Sequence, residues 1–339
     1  MDDKKLTYHE KYTSVEIGKL WATYTGNTLS KCILSYFLNN VEDPEIEKMV
    51  KQGLDLGNSF LTKIKDFFKE EDFATPIGFT EKDVDVNAPR LFTDEYYLYY
   101  LRYASKTALS LYSIAIPLMV EKDVREFFID SCAATIELVN NANDLLIEKG
   151  LLKKPPMIPI PDKVDFLKKQ NYLNGFFGNV RPLSALEVTH LYDIIDTNVI
   201  SKVLLIGFSQ VAKNDQVRNF FLRGKNLTQK HIAVCSNHLQ KENLPSPPLL
   251  DDFVTTSTVS PFADKVMLAH KIEMFSMKIR AYGNAMSLGA RRDLGAMYGK
   301  LLLDIGLYVE DGANIMINHG WMEEPPKAAS RDELSKHKD

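Results

Sequence analysis

The chain has 339 residues, of which 45% are hydrophobic and 25% charged, and its formal net charge is −4 at pH 7. This mixture indicates a soluble globular protein with enough residues for two domains, and it excludes a disordered or membrane-embedded chain. The acidic balance argues against nucleic acid as a partner, because binding to phosphates needs a basic surface.

The sequence gives no sign of a targeting or membrane segment. Its first ten residues are polar, so we expect no signal peptide, and no continuous apolar run reaches the roughly 18 residues that span a bilayer. Cys32, Cys132 and Cys235 are few and scattered, which favours reduced thiols over a disulfide framework or a zinc site. These observations predict a cytoplasmic protein.

The chain contains an internal repeat. A shift of 171 residues aligns Glu16, Leu20, Asn27, Ser30, Lys31, Leu34, Phe37, Gly53 and Leu56 with Glu187, Leu191, Asn198, Ser201, Lys202, Leu205, Phe208, Gly224 and Leu227. A shift of 170 aligns later positions, such as Phe92, Asp94 and Tyr112 with Phe262, Asp264 and Tyr282. A repeat of this length is a duplicated domain rather than a solenoid unit. It is also an internal control, because a site found in only one copy is not needed for folding.

Each copy is predicted to form four helices. The first begins with a capping box, Thr13–Glu16 in one copy and Ser184–Glu187 in the other. The second helix begins at Asp43-Pro44-Glu45, and its counterpart at Asn214-Asp215-Gln216. These starts share the residue types that satisfy the unpaired N–H groups of a first helical turn.

The third helix is expected to begin at Thr93-Asp94-Glu95 in the first copy and at Ser260-Pro261-Phe262 in the second. Asp123 and Asp293 lie near the start of the fourth helix, which should stop at Gly150 or Gly320 before a Pro-Pro pair. About 15 residues separate the second and third helices, more than antiparallel neighbours need. This length predicts a crossover that runs along the whole bundle.

We therefore predict an all-α protein with two tandem four-helix bundles. The first bundle is expected at 1–153 and the second at 181–328. A proline-rich linker and a short adaptor helix are expected at 154–180, and a charged tail at 329–339.

Several short motifs of the second copy resemble one protein family. They are Asn174-Gly175-Phe176-Phe177-Gly178, Arg181-Pro182-Leu183, Gly207-Phe208-Ser209-Gln210-Val211-Ala212, Arg223-Gly224-Lys225, Ser260-Pro261-Phe262-Ala263-Asp264-Lys265, Arg292-Asp293-Leu294 and Gly320-Trp321-Met322-Glu323-Glu324-Pro325-Pro326. The chain resembles uncharacterised proteins of spore-forming bacilli that consist of tandem ferritin-like four-helix bundles, some of them labelled spore-coat-like. The resemblance implies a ferritin-like fold for each bundle and a place in the mother cell or spore. It implies no reaction.

A ferritin-like fold raises the question of a dinuclear metal centre, which needs two glutamates and two Glu-x-x-His pairs. The first copy has no histidine after His9, and the one Glu-x-x-His of the second, Glu187 to His190, begins at the predicted capping residue. Four candidates remain for iron, manganese or zinc in the second bundle: His231, His270, Glu273 and Glu310. Ordinary core or surface positions are the favoured interpretation of these four.

The favoured function is a non-catalytic structural or interaction protein, associated with sporulation or the spore coat by resemblance alone. No catalytic or cofactor-binding residue is assigned, and we expect a protein partner or self-association, without nucleic acid or membrane. The alternative is a metal-binding or redox protein that uses the second bundle only. A third hypothesis is a small apolar ligand in the cleft between the bundles.

Three further patterns leave alternatives open. Tyrosines share one helix face within Tyr96–Tyr103 and predict either the edge of a core or a surface for assembly. Asn27 and Asn198 favour helix register over a ligand contact, because both copies keep them. The glycines around Arg291 and Arg292 indicate either an anion site or a tight turn.

Overall fold

The computed structural model describes residues 11–336, apart from the side chains of 333 and 334. In this part of the chain the long helices fall into two sets of four, and a single short helix follows them. They are α1 (Ser14–Asn40), α2 (Pro44–Glu70), α3 (Asp94–Ala115), α4 (Lys122–Glu148), α5 (Ala185–Val211), α6 (Asp215–Lys241), α7 (Asp264–Leu288), α8 (Arg292–Asn318) and α9 (Arg331–Leu334). The prediction of an all-α protein with two tandem halves is confirmed.

The predicted caps account for where most helices begin and end. Reciprocal capping boxes form at Thr13 and Ser184, and the side chains of Asp43 and Asn214 accept from the first N–H groups of α2 and α6. After α4 and α8 the chain turns through Gly150 and Gly320, whose φ angles are 68° and 64°. Glycine adopts these left-handed angles without the steric cost that a side chain brings.

Two local predictions need correction. The helix α7 begins at Asp264, a few residues after the predicted start, because Phe262 is held in a backbone bridge with Val84. The predicted adaptor helix between the halves is reduced to the single 3₁₀ turn Gln170–Leu173. In both places the local sequence pattern predicted more helix than forms, because these segments lie between the two halves and are extended there.

The crossover between α2 and α3 runs the length of the first half. The Asp94 carboxylate, at the start of α3, accepts from the N–H groups of Glu42 and Asp43 in the α1–α2 turn, at 3.0 and 2.7 Å. At the other end Glu16 accepts from the N–H groups of Val120 and Glu121, just before α4, at 2.9 and 2.6 Å. Since α2 ends beside the start of α1, residues 71–93 must cross from one end to the other, as predicted.

The two crossovers pair with each other. Antiparallel bridges join Val84 to Phe262 and Phe92 to Val254. In the repeat, Val84 is equivalent to Val254 and Phe92 to Phe262. Exchanging the two copies therefore turns one bridge into the other, which gives the two crossovers an approximate twofold axis. The halves are therefore arranged like the subunits of a symmetric dimer within a single chain.

The tyrosine face of α3 is buried against the second half. The Tyr96 hydroxyl donates to the carbonyl of Ile200 at 3.0 Å, and the Tyr100 hydroxyl lies 2.6 Å from Nε2 of His270. Tyr100 and His270 are repeat-equivalent, which places their contact at the approximate twofold axis. Of the two interpretations of this face, the structure supports an assembly surface whose partner is the chain's own second half.

The helix α5 is the most apolar of the described helices. An 18-residue window within it reaches a mean hydropathy of 1.3, and by length and composition it could cross a membrane. However, 78% of that window is buried inside the protein. Contacts with α6, α7 and the first half explain its apolar character.

We expect the contact between α5 and the first crossover to be sensitive to one added methyl group. A Cβ on Gly207 would lie 2.6 Å from a ring carbon of Phe92, so Gly207→Ala should lower the free energy of unfolding by about 1–3 kcal/mol. On the open surface of α8, Gly306→Ala should instead raise it by up to about 1 kcal/mol. Urea unfolding of both variants checks this, and equal effects would show that Phe92 is loosely packed.

Candidate functional site

Two adjoining pockets lie where the first and second halves meet. The smaller, of about 110 Å³, is bordered by α1, α3 and α7. The larger, of about 280 Å³, lies between α1 and α7 and is bordered by the segment just after α8 and part of the first crossover. Four residues line both pockets: Ala22, Gly26, Leu29 and Glu273.

The pockets exist because α1 presents small residues to α7. Ala22 and Gly26 lie one turn apart on α1, and a Cβ on Gly26 would lie 3.5 Å from Oε1 of Glu273. With no side chain at this point, α1 leaves space beside α7 instead of filling it.

Glu273 is a half-buried carboxyl group at the junction of the two pockets. Within residues 11–336 no group donates a hydrogen bond to it. Burial raises its pKa, and the opposing influence of Arg280, two helical turns further along α7, is weaker. The carboxyl group therefore has the environment of a binding residue that lacks its counterpart.

Two more polar groups without a hydrogen-bond partner border the smaller pocket. The Tyr103 side chain is 6% exposed and the His270 side chain 5%, and neither the Tyr103 hydroxyl nor Nδ1 of His270 has a partner among the described residues. Burial lowers the pKa of His270 to about 3, so the ring is neutral. Glu273 thus supplies the carboxyl group of the site, while the Tyr103 hydroxyl and Nδ1 of His270 are buried beside the smaller pocket.

Among the described residues, the opposite side of the approximate twofold axis is packed differently. On the equivalent side α3 packs directly on α5, and the pairs Arg102–Asp196, at 3.1 Å, and Lys106–Asp193 join the two helices. The residues equivalent to Gly26 and Glu273 there are Thr197 and Tyr103. Because the duplicated fold forms without a second copy of the site, the pockets and Glu273 are not requirements of folding.

Comparison with known proteins gives two matches along this chain. The family described as "Protein of unknown function (DUF3231)" matches residues 3–164 and again 172–334. The chain belongs to the DUF3231 family. It carries two tandem copies of the family's domain, and no curated protein matches it significantly.

One solved structure with similarity to this DUF3231 chain is a "putative spore coat protein" from Bacillus halodurans. The two sequences are 15% identical, and the match covers 44% of this chain and 98% of the other at a TM-score of 0.41.

The four metal candidates of the second DUF3231 domain do not come together. His231 is fully buried, and its Nδ1 lies 2.9 Å from the hydroxyl of Tyr282. Tyr282 follows His270 by twelve residues on α7, a distance of about 18 Å along the helix. Glu310 is exposed on α8. Of the four, only His270 and Glu273 border the pockets, and the described residues contain no cluster of three or more metal-ligating side chains.

The asparagines found in both copies of the repeat, Asn27 and Asn198, form equivalent hydrogen bonds in the two DUF3231 domains. The side-chain amide of Asn198 donates to the carbonyl of Ile194 and to the Tyr282 hydroxyl, both at 2.8 Å. Asn27 donates to the carbonyl of Thr23 at 2.8 Å and to the Tyr112 hydroxyl at 3.4 Å. This shared geometry supports the role in helix register.

The anion site that was one alternative for the start of α8 is occupied by a side chain of the protein itself. Oε1 of Glu187 accepts from the N–H groups of Ala290 and Arg291 at 3.2 and 3.0 Å. The Arg291 guanidinium is bound to Asp293. Within the described residues this corner is a buried structural ion cluster.

Lys271 is another buried polar residue, and it does not border either pocket. Its Nζ donates to Oγ and the carbonyl of Ser201, at 2.7 and 3.0 Å, and the side chain is fully buried. A serine beside a buried lysine whose pKa is lowered is an arrangement that nucleophilic enzymes use. Neither residue borders the two pockets, so this pair meets no substrate-sized space there.

The sequence identified Glu273 as a polar residue of interest but assigned it to a different kind of site. It did not single out Trp21 and Trp321, which both border the larger pocket and are the only tryptophans in the chain. The site could have been found by comparing the two copies for positions where the residue type differs. Gly26 aligns with Thr197, and Glu273 aligns with Tyr103.

Proposed function

We propose that this chain is a non-catalytic binding protein that holds a small molecule in the pockets between its two halves. The observation that carries the proposal is Glu273, a carboxyl group that has no hydrogen-bond partner among the described residues and lies at the junction of two pockets. On the pseudo-symmetric side its place is taken by Tyr103, and α3 packs directly on α5. A group that is costly to bury and unnecessary for folding is best explained by a ligand.

The lining supports binding better than catalysis. His270 is neutral, and its Nε2 already pairs with the Tyr100 hydroxyl, so it is poorly placed to take up a proton from a substrate. Cys32 and Cys235 are buried away from these pockets, and burial raises the pKa of both thiols. Among the residues that border the pockets, aromatic and aliphatic side chains dominate, as in sites that bind without reacting.

A leucine at position 26 should block the site. Its side chain would extend from the small face of α1 into both pockets, so Gly26→Leu should lose binding of the neutral fluorescent probe N-phenyl-1-naphthylamine. The wild-type protein should brighten the probe and show quenching of Trp21 and Trp321. The measurement is a fluorescence titration of both proteins.

The matched control is Gly18→Leu on the same helix, where an added Cβ meets nothing within 4 Å. Both variants remove a helical glycine, which favours the helix by about 1 kcal/mol in each case. Equal probe binding by the two variants would contradict the proposal, and so would wild-type protein that binds no probe.

We also propose that this binding protein acts in a sporulating cell, in the cytoplasm of the mother cell or in the spore, and that each half is ferritin-like. The support is the motif resemblance to spore-coat-like proteins and, for the fold, the crossover in each half. An antibody against the protein should detect it only after sporulation begins, and equal amounts in vegetative cells would contradict this association.

A further inference from the structure

We infer that the ligand is an organic cation, with a protonated or quaternary amine beside Glu273 and a compact apolar body in the larger pocket. The inference rests on the proposed binding function and adds the chemical class of the ligand.

The first argument is the charge balance of the site. At the rim of the larger pocket, Nζ of Lys265 is bound to Asp83 at 2.8 Å, and Oε1 of Glu323 accepts from the N–H of Gly78 at 2.7 Å. These two charged groups already have partners, whereas Glu273 has none among the described residues. A positively charged group would therefore be the missing counterpart, because pairing removes much of the cost of a buried carboxylate.

The second argument is the aromatic lining. Trp21, Trp321 and Phe79 border the larger pocket, on whose edge Glu273 lies. Aromatic faces attract cations electrostatically, and tryptophan does so most strongly. An anionic ligand would meet the carboxylates of Glu273 and Glu323 instead.

The third argument is size and ligand number. A cavity of about 150 Å³ can hold a benzene ring, so a pocket of about 280 Å³ has room for a ring with a short aminoalkyl chain. A metal ion would need several ligating groups, and the described residues provide no such cluster here. An amine, in contrast, needs only one carboxylate and an apolar surface.

The test compares 2-phenylethylamine with its uncharged counterpart 2-phenylethanol, by titration with tryptophan fluorescence as the signal, at about pH 8, where the alkylamine is protonated. We expect the amine to bind at least tenfold more tightly than the alcohol. In Glu273→Gln this preference should disappear while the alcohol still binds. The control Glu310→Gln removes the same charge from an exposed position and should keep the preference.

The outcomes separate this inference from the proposed function. Equal affinity for amine and alcohol, tighter binding of the alcohol, or a preference that survives Glu273→Gln would overturn the inference and leave the binding function standing. The inference also fails if neither compound binds while N-phenyl-1-naphthylamine does. If none of the three compounds binds, the proposed function itself is wrong.

Discussion

Replacing Glu187 with glutamine is expected to lower the free energy of unfolding by about 3 kcal/mol at neutral pH. The carboxylate is 1% exposed and accepts hydrogen bonds from Nη1 and Nη2 of Arg181, at 2.7 and 2.8 Å. It also accepts from the backbone N–H groups of Ser184 and Arg291, and so joins the starts of α5 and α8. Glutamine keeps the volume but loses the charge and one acceptor, which leaves Arg181 without its counterion.

The stability conferred by Glu187 should also depend on pH. Although burial opposes it, hydrogen bonding to Arg181 and to backbone N–H groups lowers the pKa of Glu187 from 4.5 to about 2. A carboxyl group with a lowered folded-state pKa stabilises fully above its unfolded pKa, and that contribution is lost as the pH falls through about 2. Between these values the wild-type protein should lose stability more steeply than Glu187→Gln, as measured by urea unfolding at a series of pH values.

The first half contains the matched control. Glu16 occupies the equivalent position and accepts from the N–H groups of Thr13, Val120 and Glu121, and within residues 11–336 no arginine is bound to it. We therefore expect Glu16→Gln to cost less than Glu187→Gln. Equal losses would show that Arg181 adds nothing to the stability of the second half.

Replacing Lys271 with leucine is expected to raise the free energy of unfolding at neutral pH by roughly 1–4 kcal/mol, the range in which apolar replacements of buried ionic groups stabilise proteins. The lysine is fully buried, and burial lowers its pKa well below the usual value because it disfavours the charged form in the folded protein. The equivalent residue in the first half is Leu101, which is packed in the core beside Leu34 and Leu138. The duplicated fold therefore accepts leucine at this position.

The sign of the pH dependence provides a second measure of the same effect. Because burial lowers the folded-state pKa of Lys271 below its unfolded value, stability should rise with pH up to about 10.4, the unfolded pKa. In Lys271→Leu this part of the rise should vanish, while in the exposed control Lys300→Leu it should remain. A destabilised Lys271→Leu would mean that the hydrogen bonds to Ser201 outweigh the cost of burying the lysine.

The fold was accessible from the sequence wherever local chemistry decides it. Thr13, Asp43, Ser184 and Asn214 satisfy N–H groups only a few residues away, so their positions predict helix starts without knowledge of the rest of the chain. The length of the α2–α3 connection similarly predicted a crossover. The late start of α7 shows the limit, because a contact between the two crossovers sets it.

The site depends on contacts between residues far apart in the sequence. Glu273 has significance only because Gly26, almost 250 positions earlier, leaves space opposite it, and because Trp321 closes the same pocket from beyond α8. The metal hypothesis grouped His231 with His270 because histidine is a common metal ligand. The structure separates them because Tyr282, about three turns along α7, is the residue that contacts His231.

By itself, then, the sequence determined the helices, their caps and the duplication, because these follow from interactions within one or two helical turns and from direct comparison of the two copies. Only the tertiary structure decided how the halves meet. It shows that the tyrosines of α3 contact the second half, that α3 and α5 are joined by ion pairs, and that α1 and α7 are held apart around an unpaired carboxyl group. The physical reason is that packing across an approximate twofold axis is set by positions where the copies differ, and no local pattern marks which of these positions face each other.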